Sequence, residues 1–380
     1  MDKYPRLRKC LAVGIILLFV GTCIVPAIAQ DTEKPSQPTS RGNWLYVGGS
    51  GPGNYTKIQD AINDTSNGDT IYVFRGIYHE AITVNVGLLT ILGEGSDVTI
   101  IDANWTDAAV DIEKNFVTFR GFTIIGNKSG IYVRGELLTI TISDNNLTQN
   151  HRGIEFQYDR DNYDNVIENN IFYSNHCGIY FVSDLWFNTI RNNTFIDNFN
   201  GMEISGNNIR ILNNTFVNSR GSGIYLYGGP SVVEGNIFTN NYRGLHSGGL
   251  EQTITGNLFI GNTRGLDLDG SDQIITGNLF KNNTIGVRLS GSNIRVNQNN
   301  FIQNSRHVWF AEENRVHGNN WDNNYWSDSF HFFGCIFIFG KVQTGIKKLI
   351  QFDPYSTSYY WIPWINVDRD PAQDPYDIGV

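Results

Sequence analysis

Through most of this chain the apolar residues fall in short, evenly spaced runs. In the unit starting at Asn257 they are Leu258-Phe259-Ile260, then Leu266-Asp267-Leu268 after a glycine, then Gln273-Ile274-Ile275-Thr276. Each run is too short for a helix, and Gly or Asn fills every gap, so each is predicted to be a strand. The unit recurs as NNLTQN-HRGI (145–154), NNIFYSNHCGI (169–179), NNTFIDNFNGM (192–202), NNTFVNSRGSGI (213–224), GNIFTNNYRGL (235–245), GNLFIGNTRGL (256–266), GNLFKNNTIGV (277–287) and QNNFIQNSRHV (298–308), and closes with GNNWDNN from 318. The second Asn falls at 146, 170, 193, 214, 236, 257, 278, 299 and 319, in steps of 24, 23, 21, 22, 21, 21, 21 and 20 residues. Three strands in about 21 residues, with no helix to cross over, predict one coil of a parallel β-helix. The fold class is therefore all-β: a single-stranded parallel solenoid with coils stacked ~4.8 Å apart.

Stacking turns one-per-coil residues into files. Asn146, Asn170, Asn193, Asn214, Asn236, Asn257, Asn278 and Asn299 are expected to form an amide ladder, each bonding to the same amide above and below. Phe172, Phe195, Phe216, Phe238, Phe259, Phe280 and Phe301 are expected to stack inside. The glycine before the second strand (153, 178, 201, 223, 244, 265, 286) suits a corner with positive φ. A solenoid must protect its ends. Tyr55 to Ile62 is predicted to be a short amphipathic capping helix, with Ile58, Ala61 and Ile62 on one face. Residues 329–380 are aromatic and without the repeat, and are expected to form an irregular C-terminal cap over the last coils.

Composition narrows the classes. Of 380 residues, 40% are hydrophobic and 13% aromatic, enough for a large core, which excludes wholesale disorder. With 45 Asn and 40 Gly, a mainly helical protein is excluded. A net charge of −9 argues against a nucleic-acid partner, which needs a basic face. Lys3, Arg6, Arg8 and Lys9, the apolar stretch Leu11–Val25 and Ala27-Ile28-Ala29 form a secretory signal over 1–29. An uncleaved membrane anchor is the competing reading. Residues 30–43 are a polar linker, 44–328 the β-helix and 329–380 the cap. Cys10 and Cys23 lie in the signal, and Cys177 with Cys335 does not make a disulfide scaffold. Eight Asn-x-Ser/Thr triplets occur, at 54, 63, 104, 127, 146, 192, 213 and 282.

The segment GNYTKIQDAIN…GDTIYVFRGIYHE (53–80) resembles the opening of secreted right-handed β-helix proteins of the pectin-lyase-like superfamily. The GNxFxxNxxG coils and the closing NNYWSD (323–328) resemble the NosD family within it. The resemblance covers roughly 44–328. It implies an extracytoplasmic, cell-surface location and, by the family's label, copper binding. The superfamily hosts lyases, hydrolases, epimerases and non-catalytic surface proteins, so the fold alone does not fix an activity.

The strand after the repeated glycine is the natural binding surface. If the residue after the glycine points inward, the next points out, and the outward file is Glu155, Tyr180, Glu203, Tyr225, His246, Asp267, Arg288 and Trp309. Rings that stack on pyranoses and carboxylates that bond hydroxyls suit a sugar polymer; the competing reading is an ordinary solvated face. Asp267 and Asp269, with His246 one coil before and Arg288 one coil after, form the best catalytic constellation; the competing reading of Asp269-Gly270 is a turn. His151, His176 and Cys177 could offer soft metal ligands, and Asp159, Asp161 and Asp164 could offer oxygens to Ca²⁺, against the plainer readings of a surface corner and a solvated loop. The tail acids Asp368, Asp370, Asp374 and Asp377 are likewise expected in a solvated segment. No cofactor is required, and copper finds few suitable ligands. The leading expectation is a surface protein that binds carbohydrate or another envelope polymer. The alternatives are a polysaccharide hydrolase or lyase and a NosD-like copper accessory protein.

Overall fold

The computed structural model describes residues 42–157, 162–312, 319–327, 331–332, 335–347, 357–368 and 370–378. The proposed signal, most of the linker, and Asp159 and Asp161 lie outside them, as does the side chain of Cys335. The described chain winds into a parallel β-helix whose second sheet has 12 strands, one per coil. Each coil contributes one strand to each of three sheets. In the coil from Asn257 these are Leu258–Ile260 (second sheet), Arg264–Leu268 (third) and Ile274–Thr276 (first). The next coil pairs with it in parallel, residue by residue: Phe259 with Phe280, Asp267 with Arg288, Ile275 with Val296.

The three corners explain the asparagines. Entering the second sheet, Asp144, Asn169, Asn192, Asn213, Gly235, Gly256, Gly277, Gln298 and Asn323 all have φ between 54° and 66°. Asn tolerates this left-handed region better than most residues, and Gly freely. The residue that follows turns its amide inward. Asn257 Nδ2 lies 3.0 Å from Asn278 Oδ1 and 2.8 Å from the Val233 carbonyl, while Asn257 Oδ1 accepts from Asn236 N at 2.9 Å. The Asn-Asn or Gly-Asn pair is thus one bend plus one buried bond donor.

The ladder corrects the expected file at two places. In the coil at 145–154 its member is Asn145, bonded to Asn170 Oδ1 through both N and Nδ2. Asn146 faces outward one residue later, in the strand Asn146–Thr148. After Asn299 the file continues at Asn324, not Asn319. Asn319 serves the corner before the first sheet, where its Oδ1 accepts from Ile294 N at 2.9 Å. A second asparagine ladder stands at the corner entering the third sheet, through Asn150, Asn175 and Asn198 and again through Asn241, Asn262, Asn283 and Asn304.

The repeated glycines also differ from expectation. Gly153 to Gly286 lie inside strands, and none is among the left-handed residues. Their constraint is space: a Cβ on Gly244 would sit 2.5 Å from the Gly265 carbonyl oxygen and 2.8 Å from Phe259 Cδ1. The phenylalanines beneath them stack nearly face to face, from Phe172–Phe195 (4.5 Å, 3°) to Phe280–Phe301 (5.0 Å, 12°), and Trp326 closes the file on Phe301 (4.3 Å, 8°). Isolated aromatic pairs prefer offset or edge-on contacts; here the rung spacing imposes the stack.

Both ends are covered. The helix Ile58–Asn63 buries Ile58, Ala61 and Ile62, and Glu80 accepts the Ile58 and Gln59 N–H groups at its start (2.8 and 3.1 Å). At the other end, the segment expected to be irregular contains two long antiparallel strands, Cys335–Lys347 and Thr357–Asp368. Asp368, expected in a solvated tail, is fully buried. Its Oδ2 accepts from Asn324 N and Nδ2 and from Trp326 Nε1 (3.2, 3.1 and 2.8 Å). A carboxylate therefore ends the ladder where the next amide would stand.

Asn257→Ala should lower stability by about 2–5 kcal/mol, because bonding groups on both neighbouring coils lose their partner. The outward Thr255→Ala should cost below about 1 kcal/mol. Urea-unfolding midpoints compare them; equal losses would refute the structural role given to the ladder.

Candidate functional site

The third sheet carries the outward file. Its strands have the local form x-Gly-apolar-x-apolar, with the buried Ser247 taking the last place in Arg243–Ser247, and Leu245, Leu266 and Val287 fill the core. The residue between the apolar pair turns outward. Register pairs Glu155 with Tyr180, Tyr180 with Glu203, Glu203 with Tyr225, Tyr225 with His246, His246 with Asp267, Asp267 with Arg288 and Arg288 with Trp309. The file also extends backwards through Tyr132 and Asp111. At one rung per coil, the span from Tyr180 to Trp309 is roughly 29 Å.

This surface is not an ordinary solvated face at its centre. Asp267 is only 1% exposed and His246 6%. Arg288 donates to Asp267 Oδ1 at 2.7 Å, Arg264 donates to Oδ2 at 2.7 Å, and Arg243 Nε lies 3.1 Å from Oδ2 as an ion pair. Burial by itself would raise the Asp267 carboxyl. The facing His246 imidazole and the Arg288 and Arg264 guanidiniums outweigh it and hold the group well below the usual carboxylate range. Asp269, 43% exposed at its side chain, accepts from Arg288 at 3.1 Å and from the Ser290 hydroxyl.

His246 is sandwiched on one side by Tyr225 (ring centroids 4.5 Å, 16°). Its Nε2 lies 3.3 Å from the Tyr227 hydroxyl and 3.7 Å from Asp269 Oδ2. Its Nδ1 is buried, 3.9 Å from Asp267 Oδ2, and makes no hydrogen bond. The Tyr227 hydroxyl bonds to that of Tyr225, and burial followed by this bond pushes the Tyr227 phenol up. At the open end of the file the Arg288 guanidinium lies 5.5 Å from the Trp309 ring centre. At the other, Arg152 covers the Tyr180 ring at 3.5 Å and pairs with Glu155.

The four proposed catalytic residues therefore stand together, with Tyr225 beside them. Arg243, Arg264 and Tyr227 belong to the same cluster and were not anticipated. The two arginines directly precede the repeated glycine in YRGL and TRGL, so a file one position over carried the signal.

Metal fit is a question of donor sets. Among the described residues, His246, Asp267 and Asp269 offer ligand atoms within 4.8 Å of one another. Three guanidiniums already hold Asp267, however, and a divalent ion would have to displace them. His151 and His176 do sit one rung apart, but their rings are parallel (4.8 Å, 4°), so their lone pairs do not converge. Cys177 is buried, its thiol bonds to the Ile179 carbonyl (3.2 Å), and burial pushes its pKa far up, away from the thiolate a metal needs. Asp164 occupies a left-handed corner (φ 53°). These donors do not fit copper.

Stacked coils with a polar file along one face define a parallel β-helix protein. The chain belongs to the NosD family, described as periplasmic copper-binding protein, whose model matches residues 62–274 and 207–330. A cell surface glycoprotein of Methanothermus fervidus is 42% identical over 99 residues, 25% of this chain and 16% of that protein. A probable pectinesterase/pectinesterase inhibitor 12 of Arabidopsis thaliana is 31% identical over 103 residues, 26% and 18%. The chain thus spans under a fifth of the length of these two relatives. Among solved structures, the A-module of Azotobacter vinelandii mannuronan C-5 epimerase AlgE4 superposes with TM-score 0.56 at 16% identity, over 69% of this chain and 88% of that one. The alpha-1,3-glucanase catalytic unit of Streptomyces thermodiastaticus gives 0.54 at 15%, over 77% and 70%, and the Dettilon tailspike protein 0.53 at 13%, over 80% and 73%. At these identities the likeness is one of fold.

Asp267→Ala should destabilise by about 3–5 kcal/mol, since three guanidiniums lose their carboxylate. The pH dependence has a fixed sign. A carboxyl lowered on folding stabilises fully above its unfolded value of ~3.9, and that stabilisation is lost as pH falls through the folded value. The stability gap between the parent and Asp267→Asn should be largest near neutrality and shrink in strong acid. Denaturant midpoints across pH check this, and a gap independent of pH would contradict the cluster.

Proposed function

We propose that this chain is an extracytoplasmic β-helix protein that binds a carbohydrate polymer along the outer face of its third sheet. The single supporting observation is the file from Tyr180 to Trp309, repeating at each rung with rings, carboxylates and a guanidinium facing outward. Rung spacing is comparable to the length of one pyranose unit, so successive sugars would meet successive coils. Three guanidiniums face two carboxylates at the centre, favouring a carboxylated sugar. The cell-surface relative and the periplasmic label of the family support the location.

A second reading, polysaccharide cleavage, rests on the Tyr227–His246 contact beside Arg288. Hydrolysis needs a carboxylic acid with a raised pKa, and Asp267 is shifted the other way. Elimination fits better. A cation would neutralise a uronate carboxylate, a base would take the neighbouring C5 proton, the C4–O bond would break, and an acid would protonate the departing oxygen. Arg288, His246 and the protonated phenol of Tyr227 supply groups for these roles.

On arrays of neutral and acidic polysaccharides, binding should concentrate on acidic glycans and fall about tenfold or more in Tyr225→Ala and Trp309→Ala, as expected for lost aromatic anchors. No binding to any glycan would overturn the reading. Unsaturated products that appear with the parent and vanish in Tyr227→Phe, with binding retained, would establish the eliminating enzyme instead.

A further inference from the structure

The second sheet presents a different outer face. From Ile171 to Ile302 the outward positions of its seven strands are mostly aliphatic or threonine: Ile171 is exposed beside Tyr173, Ile196, Val217, Ile237 and Ile260 are half-buried, and Lys281 is the one charge. A contiguous apolar face of this length, about 29 Å by rung spacing, is unusual on an unaccompanied soluble surface.

Four of the eight Asn-x-Ser/Thr triplets flank the same sheet. Asn192 and Asn213 occupy the corner that enters it, and Asn104 and Asn282 the corner that leaves it. All four are exposed, and no hydrogen bond among the described residues engages their side-chain amides. Each has a left-handed backbone (φ 54° to 57°) that lifts the side chain off the coil. Two triplets fall elsewhere: Asn63, exposed, ends the capping helix Ile58–Asn63, and Asn146, half-buried, lies within the strand Asn146–Thr148. Asn127, by contrast, is fully buried with its amide on the Ile125 carbonyl (2.8 Å), and Asn54 donates to the Gly48 carbonyl (2.6 Å).

We propose that Asn104, Asn192, Asn213 and Asn282 carry asparagine-linked glycans that sheathe the apolar face of the second sheet from its two edges, leaving the third sheet open. The donor is a lipid-phosphate-linked oligosaccharide, supplied by a host that glycosylates exported chains. The amide nitrogen bonds to the anomeric carbon, the bond from that carbon to the phosphate oxygen breaks, the lipid phosphate departs, and a base takes the amide proton. Asn192 and Asn213 are one rung apart, so a glycan on either serves that edge.

The full-length chain, exported from a host with asparagine-linked glycosylation, is to be mapped by site-resolved glycopeptide mass spectrometry. Glycan is expected at Asn104, at Asn192 or Asn213, and at Asn282, with Asn127 unmodified. Bare asparagines at all four positions, or glycan on Asn127 in folded protein, would overturn the assignment. The sheath has its own test. The quadruple Asn→Gln variant should associate, with an apparent mass by light scattering about twice that of the glycosylated protein or more. Gln already occupies such corners at Gln149, Gln298 and Gln303, and enzymatic deglycosylation of folded parent protein repeats the test without substitution. A glycan-free protein that stays monodisperse would refute the sheathing role.

Discussion

A side-chain amide buried in a protein interior must be bonded on every side or it destabilises the fold. The β-helix meets this demand by repetition. Asn193, Asn214, Asn236, Asn257 and Asn278 each find their partner in the same residue one coil on, at 3.0 Å between Nδ2 and Oδ1. The same oxygen also accepts the preceding asparagine's backbone N–H. Such a ladder is intolerant of slippage. A shift of one residue would strand an amide in the core at every coil, so register is fixed more strictly than a hydrophobic stripe would fix it. The files of Phe, Gly and outward side chains inherit that register. The end must be resolved as well, and Asp368 does so with an acceptor that asks for no further partner beyond it.

Most of the fold was legible because the repeat is a property of spacing. Three short runs per coil, the capping helix, the phenylalanine stack and the outward file follow from period and alternation alone. What escaped depended on resolving single positions. Asn145 and Asn146 are both Asn, and only the corner geometry shows that Asp144 takes the left-handed bend and Asn145 turns in. The glycines were assigned to bends because glycine permits positive φ; the bends belong to other residues, and the glycines are needed for clearance above a phenylalanine ring. Asp368 lies outside the repeat, so no pattern marked it.

The candidate site was half legible for a related reason. Alternation placed His246, Asp267 and Arg288 in one file. It predicted an exposed polar surface, since a strand face not packed on the core normally meets water. The departure comes from long side chains in the neighbouring file: Arg243 and Arg264 fold over Asp267 and exclude solvent from it. Arginine stems can cover a residue that backbone geometry leaves open, and spacing carries no information on where their guanidiniums settle.

The cluster's charge order also bears on what the site can do. An ion held by three guanidiniums is a poor proton donor and a poor nucleophile, so Asp267 acts by organising the arginines around it. Fixed in this way, their remaining donors, together with Tyr225, Tyr227 and Asp269, are set before any ligand arrives, and little side-chain freedom is left to lose on binding. A stacked-sheet scaffold reinforces this, because moving one rung would disturb the ladders above and below. Recognition by such a face selects for a ligand that repeats as the face repeats. A polymer, as proposed for the third sheet, meets that condition rung by rung.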